Sequence, residues 1–173
     1  IMKTLVYLVI IVLLFSCNGE NAGDCFQTVG SILQEEIALD TFDKILVNRD
    51  VELILKEGNT QKVIIETGKN LWNDVQAIVV DGQLILSDNN SCNYVRDYGN
   101  TKVYVTSPNI TEIRSSTQYD VSSEGVLRYP SLTILSEDYS APDSFTVGNF
   151  RLDIDAVNFY VVFNNLSNAY ITG

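Results

Sequence analysis

No histidine occurs anywhere in the 173 residues. That removes the most frequent general base, every histidine-assisted nucleophile triad and every His-ligated zinc site. Cations are also scarce, with 11 Lys+Arg against 22 Asp+Glu and a formal net charge of −11. Such a surface repels phosphate backbones, so nucleic acid is excluded as a partner. No apolar run approaches the roughly 20 residues a membrane-spanning helix needs. Only three cysteines are present, Cys17, Cys25 and Cys92. Two of them, Cys17 and Cys25, lie eight positions apart around a polar stretch, so their roles decide where the protein resides.

The longest apolar run is LVYLVIIVLLF, residues 5–15, preceded by Lys3 and followed by Ser16-Cys17. One cation, about a dozen apolar residues and a small residue before the break form the layout of a secretory signal. Leu14-Phe15-Ser16-Cys17 resembles the lipobox of bacterial lipoproteins, with Phe15 bulkier than usual. The resemblance implies a signal peptide over residues 1–16 and a lipidated Cys17. Residues 17–25 then hold the lipidated cysteine and a flexible polar tether. Several acyl chains give a stable anchor, because each buried CH₂ adds about 0.8 kcal/mol. The partner so implied is a membrane, reached through the lipid. The expected location is the bacterial cell envelope, at the outer membrane, on its periplasmic or surface face. Without residues 1–16 the chain loses Lys3 alone, leaving ten cations against 22 acids, a net of −12.

From Phe26 onward the pattern is all-β. Phe42–Val47, Val51–Leu55, Lys62–Glu66, Val75–Val80, Leu84–Leu86 and Val103–Val105 are β-rich runs separated by turn residues. Asp81-Gly82 between two apolar runs predicts a hairpin. Ser31–Leu39 is the one helical candidate, although its apolar spacing also suits a strand. Farther on, Ile113, Ile134 and Ile154 sit in similar x-x-Ile-x-x cores spaced 21 and 20 residues apart, and Ile171 follows 17 later. Shorter β pieces fall between them at Tyr119–Val121, Phe145–Val147 and Phe159–Phe163. A period near 20 with several short strands per repeat predicts the coils of a β-solenoid; the alternative is a β-sandwich or jelly roll. Ile1 stands before Met2 and Gly173 closes the chain without a stop signal, so a domain over 26–173 truncated at its C-terminus is the expectation.

Asp24-Cys25-Phe26, Phe42–Val47, Val51–Leu55 and Ser91-Cys92-Asn93-Tyr94-Val95-Arg96 resemble the head-GIN domain family, labelled "putative auto-transporter adhesin", of Bacteroidetes-type envelope lipoproteins. The resemblance implies a right-handed parallel β-helix-like solenoid without established catalytic residues. The chain departs from it in lacking Gly-rich repeat turns, with Ser115-Ser116-Thr117 and Ser140-Ala141-Pro142 in their place.

With Cys17 acylated, Cys25 and Cys92 are an even pair in an oxidising compartment, and a disulfide is the expectation. Two free buried thiols are the alternative. Asp153 and Asp155 flank Ile154 and would share one strand face, with Asp138, Asp143 and Arg151 nearby. That is the pattern a Ca²⁺-dependent polysaccharide-active β-helix enzyme would use, and an ordinary solvated face is its bland counterpart. Tyr119, Tyr139, Tyr160 and Asn158, with Asn164 and Asn165, combine rings and amides, which suits contact with a glycan or a surface protein. They equally suit stacking within a solenoid. The sequence therefore predicts an envelope lipoprotein with a binding, adhesion or scaffolding role, no catalysis and no cofactor.

Overall fold

A computed structural model describes residues 24–90, 92–136, 146–163 and 166–173. The signal-like run, Cys17, Tyr139, Asp138, Asp143, Asn164 and Asn165 lie outside them. Among the described residues there is no α-helix, only the 3-10 turns Asp24–Phe26 and Trp72–Asp74, and hence no helix long and apolar enough to cross a membrane.

Among the described residues, thirteen strands form two mixed sheets that do not close into a barrel. The chain begins with β1 (Ile32–Ile37), β2 (Lys44–Val47), β3 (Val51–Glu57) and β4 (Lys62–Gly68). Next come β5 (Val75–Val80), β6 (Gln83–Asp88), β7 (Thr101–Ser107), β8 (Glu112–Ser115) and β9 (Val121–Leu127). Finally come β10 (Ser131–Ser136), β11 (Phe150–Ile154), β12 (Asn158–Phe163) and β13 (Ala169–Thr172). One sheet has the order β1-β4-β7-β3-β9-β11-β13, the other β12-β10-β8-β2-β6-β5.

The two orders interlock. Strand pairs β2/β3, β6/β7, β8/β9, β10/β11 and β12/β13 each run from the second sheet into the first, and neighbouring pairs lie parallel. The first pair, β2/β3, is central: β6/β7 stacks on one side of it and β8/β9 on the other. Antiparallel strands finish the β6/β7 side, β5 on β6 and β4 then β1 on β7.

Alternation along each strand builds the core. Val51, Leu53 and Leu55 point inward from β3, Leu84 and Leu86 from β6, and Val103 and Val105 from β7. Parallel register aligns them into rows. One runs Leu84, Ile45, Ile113, Ile134, Val161 across the second sheet. Another runs Val103, Leu53, Val121, Phe150, Ala169 across the first. Each fully buried aliphatic side chain in these rows stabilises the fold by roughly 1.5–3 kcal/mol.

Three sequence expectations meet the structure differently. Ser31–Leu39 holds a strand: Ile32–Ile37 pairs antiparallel with β4, so the extended reading of its spacing applies. Asp81 and Gly82 adopt φ of 50° and 75° and join β5 to β6 by a two-residue loop, as a type I′ hairpin requires. The isoleucine period is half right. Ile113 and Ile134 are register partners in the second sheet, but Ile154 lies in the first sheet and Ile171 pairs with Leu152. Inward side chains of both sheets look alike in sequence, so a nearly constant spacing merged two different rows. Of Phe145–Val147, the described Thr146 and Val147 are outside any strand.

Candidate functional site

Loops that carry the chain from the second sheet to the first stack along one corner of the molecule: 48–50, 89–100 and 116–120, followed by Asn149 and Asn168. Each turn must satisfy backbone groups leaving the sheets. Ser116 N–H donates to the Val47 carbonyl at 2.7 Å, and Thr117 Oγ1 donates to the Val51 carbonyl at 2.8 Å. Ser115, Ser116 and Thr117 are buried, so hydroxyls fill this corner where glycine was expected. Gly148 is needed at the next level. A Cβ there would lie 2.0 Å from the Tyr119 carbonyl oxygen, and its N–H donates to the Thr117 carbonyl.

The widest of these loops is fastened at several points. Cys25 and Cys92 are joined by a disulfide across 67 residues, with Cα atoms 4.4 Å apart. Tyr94 N–H donates to the Cys25 carbonyl at 2.9 Å. The Arg96 guanidinium donates to the carbonyls of Gln27 at 3.0 Å and Cys92 at 2.9 Å. Cys92 and Arg96 of the CNYVR segment therefore tie the N-terminal segment to the loop. At the loop's root, Asp88 is buried and accepts from Asn90 N–H, Asn90 Nδ2 and Thr101 Oγ1 at 2.9, 2.6 and 2.5 Å. Asp50, Asp88, Asn93, Arg96 and Tyr98 line a cavity of about 20 Å³, room for one water.

This fastening holds aromatic rings in solvent. Tyr94 is 75% exposed, Tyr98 71% and Phe26 57%, and the Phe26 and Tyr94 rings meet in a tilted pair with centroids 5.7 Å apart. Asn93, Asp97 and Asn100 supply polar groups in the same loop. Burial pushes the Asp50 carboxyl above its ordinary range; Gln118 opposes this by a hydrogen bond and the Asp88 charge adds to it. Tyr119, half-buried over Gly99, has its phenol raised by burial and then by the Asp50 charge.

The sequence-predicted contact residues do not form one site. Tyr119 belongs to the 116–120 corner, whereas Asn158 and Tyr160 project from the outer face of β12, Tyr160 at 58% exposure. Asp153 faces outward from β11, its N–H donating to Ser123 Oγ at 2.9 Å beside a bulge in β9, and Asp155 lies just past the strand. Arg151 is engaged by Asp120 at 2.6 Å and covers the Tyr170 ring. Among the described residues no three His, Cys, Asp or Glu side chains converge as a metal site.

A second feature of this corner was not anticipated. Asp120 Oδ1 accepts from Asn149 Nδ2, and Asn149 Oδ1 accepts from Asn168 Nδ2 at 3.0 Å. This amide ladder joins successive strand pairs. Burial alone would raise Asp120, but Arg151 and Asn149 outweigh it and hold the carboxyl below its usual range. Its signal was polar residues just ahead of β9, β11 and β13, recognisable only once those strands are aligned.

Interlocked parallel strand pairs and a covalently fastened aromatic loop define an all-β scaffold of two mixed sheets. The chain belongs to the family "Putative auto-transporter adhesin, head GIN domain", which matches residues 41–173. Its fold is similar to that of a "putative adhesin" from Bacteroides fragilis NCTC 9343, with TM-score 0.69 and 19% identity over 82% of this chain and 63% of that one. A "putative adhesin" from Parabacteroides merdae ATCC 43184 has TM-score 0.65 and 14% identity over 83% and 57%. A "putative lipid binding protein" from Parabacteroides distasonis ATCC 8503 has TM-score 0.55 and 14% identity over 83% and 61%. The chain thus spans about three fifths of each of these three structures. No curated protein matches it.

Proposed function

We propose that this chain is an outer-membrane lipoprotein, anchored through Cys17, whose right-handed β-solenoid binds glycan without catalysing a reaction. The observation that carries the binding role is the loop bearing Tyr94 and Tyr98, with Phe26 alongside. Rings with an apolar face and a polar edge stack on sugars, while adjacent amides and carboxylates take hydroxyl hydrogen bonds. Fastening by Cys25–Cys92 and Arg96 holds the rings in place before a ligand arrives, which lowers the ordering cost of binding. Asn158 and Tyr160 form a secondary contact on β12. Family membership supports an adhesive role at the envelope, and the parallel stacking of successive strand pairs supports the solenoid.

A glycan array tests the binding role. The wild-type chain is expected to retain a defined set of sugars and the Tyr94→Ala/Tyr98→Ala double variant to lose them. Equal retention by both proteins removes the loop from the proposal. Fractionation tests the anchor: Cys17→Ser is expected to leave the membrane fraction and to lose palmitate labelling. A Cys17→Ser protein that stays membrane-bound and labelled refutes lipidation at that residue.

A further inference from the structure

The 48–50 turn, the end of β6 and the 89–100 loop bring oxygen atoms to one cavity of about 20 Å³. Counting hydrogen bonds among the described residues shows which of these oxygens are already engaged. Asp88 accepts two bonds from Asn90 on Oδ1 and one from Thr101 on Oδ2, against about four acceptor positions on a carboxylate. Asp50 Oδ1 accepts from Gln118 Nε2 at 2.6 Å, while Arg49 Nε stands 3.8 Å from Oδ2, beyond a hydrogen bond. Both carboxylates therefore keep acceptor capacity at the cavity.

Asn90 supplies the decisive group. It lines the same cavity at 9% exposure, and no donor reaches its side-chain oxygen. Its Nδ2 donates to Asp88 Oδ1 at 2.6 Å and to the Leu71 carbonyl at 3.2 Å. Those two bonds fix the amide, because turning it over would set its oxygen against a carboxylate and a carbonyl with no proton between them. The oxygen is thus the atom left for whatever fills the cavity. A buried acceptor in that state costs stability until something engages it.

The lining also carries excess negative charge. Asp50, Asp88 and Asp97 stand against one guanidinium, that of Arg96, whose terminal nitrogens donate to the carbonyls of Gln27 and Cys92. A water can donate two protons here but leaves the charge in place. A cation answers both.

We infer that this cavity binds one calcium ion through the carboxylates of Asp50 and Asp88 and the side-chain oxygen of Asn90, with exposed Asp97 at its rim and water completing the shell. Calcium takes six to eight oxygens in irregular arrangements at about 2.3–2.6 Å, closer than a hydrogen-bonded water sits, so room for one water admits it. Magnesium demands a near-regular octahedron and keeps most of its water, which donors drawn from three segments do not favour. Two carboxylates at the centre also agree with the lack, among the described residues, of three converging acidic side chains. An ion held there ties the loop that carries Tyr98 to the turn between β2 and β3.

Titrating calcium chloride into the detergent-solubilised 173-residue chain, after chelator treatment and at constant ionic strength, tests this. The ¹⁵N amide signals of Asp50, Asp88, Asn90 and Asn93 are expected to shift and saturate with a Kd of about 0.1–1 mM, the range of extracellular calcium modules. The denaturation midpoint is expected to rise with them, and magnesium chloride to bind about tenfold more weakly or worse. Asp50→Asn, which keeps an oxygen for Gln118 Nε2, is expected to weaken calcium binding by about tenfold or more. Asp97→Asn, in an exposed part of the loop, should weaken it by a smaller factor. Asp153→Asn, on β11, should leave it unchanged. No saturable shift up to about 10 mM calcium overturns the inference and leaves a water as the occupant. Wild-type affinity in Asp50→Asn overturns it too. So does a response that follows Asp153 instead, which would mean a diffuse counterion atmosphere on an acidic surface.

Discussion

Asp50 and Asp120 occupy equivalent corners of neighbouring strand pairs and titrate in opposite directions. Burial raises Asp50 above the ordinary 3.8, so its ionisation at neutral pH costs stability; that stability is present below 3.8 and is lost as pH rises through the raised value. Asp50→Asn is expected to raise the denaturation midpoint at pH 7, since the amide oxygen can still accept from Gln118 Nε2 and asparagine tolerates the φ of 66°. The gain is expected to disappear as pH falls below 3.8. Asp120 is held below 3.8, so its contribution is present above that value and is lost as pH falls through the depressed one. Asp120→Asn is therefore expected to lower the midpoint at pH 7 and to approach wild type on acidification. Denaturant titrations of both variants from pH 7 to pH 3 check the paired prediction through its two signs.

Among the elements, the 89–100 loop depends most on a covalent bond. Its disulfide encloses a long loop, for which chain-entropy reasoning gives about 4 kcal/mol. Cys92→Ser is expected to cost roughly 2–5 kcal/mol in equilibrium unfolding and to release the Tyr94 ring from Phe26, visible as faster exchange of the loop amides. Strand identity was largely legible in the sequence, because alternation in Val51–Leu55 and turn chemistry at Asp81-Gly82 are local signals. Strand order was not. Parallel partners such as Ile45 and Ile113 are separated by the whole of β3–β7, and nothing nearby records which side of β2 each later strand takes. The proposed contact residues Tyr94 and Tyr98 were missed for a related reason: Tyr94 drew notice only within the CNYVR segment and Tyr98 not at all, and only the fold reveals how far their rings project. Tyr119 looked exposed in sequence and instead packs over Gly99.

At the scale of the whole molecule, stability should grade from the centre to the ends. Leu53 lies between Val103 and Val121 with neighbours on both sides and no exposure. Leu53→Ala is expected to cost about 2–5 kcal/mol. Val161, in an inward row but 46% exposed, should cost well under that when cut to alanine. Equal costs at the two positions would mean that β12 is packed as tightly as the centre. The Cys25–Cys92 bond also determines how the molecule carries a load. A pull on its two termini passes from Cys25 directly to Cys92, leaving the first six strands outside the path of force. They cannot be drawn out while the bond is intact, however weakly their own hydrogen bonds resist. Reduction should therefore lengthen the fully stretched chain by about 220–240 Å, the reach of 67 residues at ~3.3–3.6 Å each, as read by single-molecule extension. The bond is thus a mechanical bypass that keeps the first half of the domain folded while the second half bears the tension.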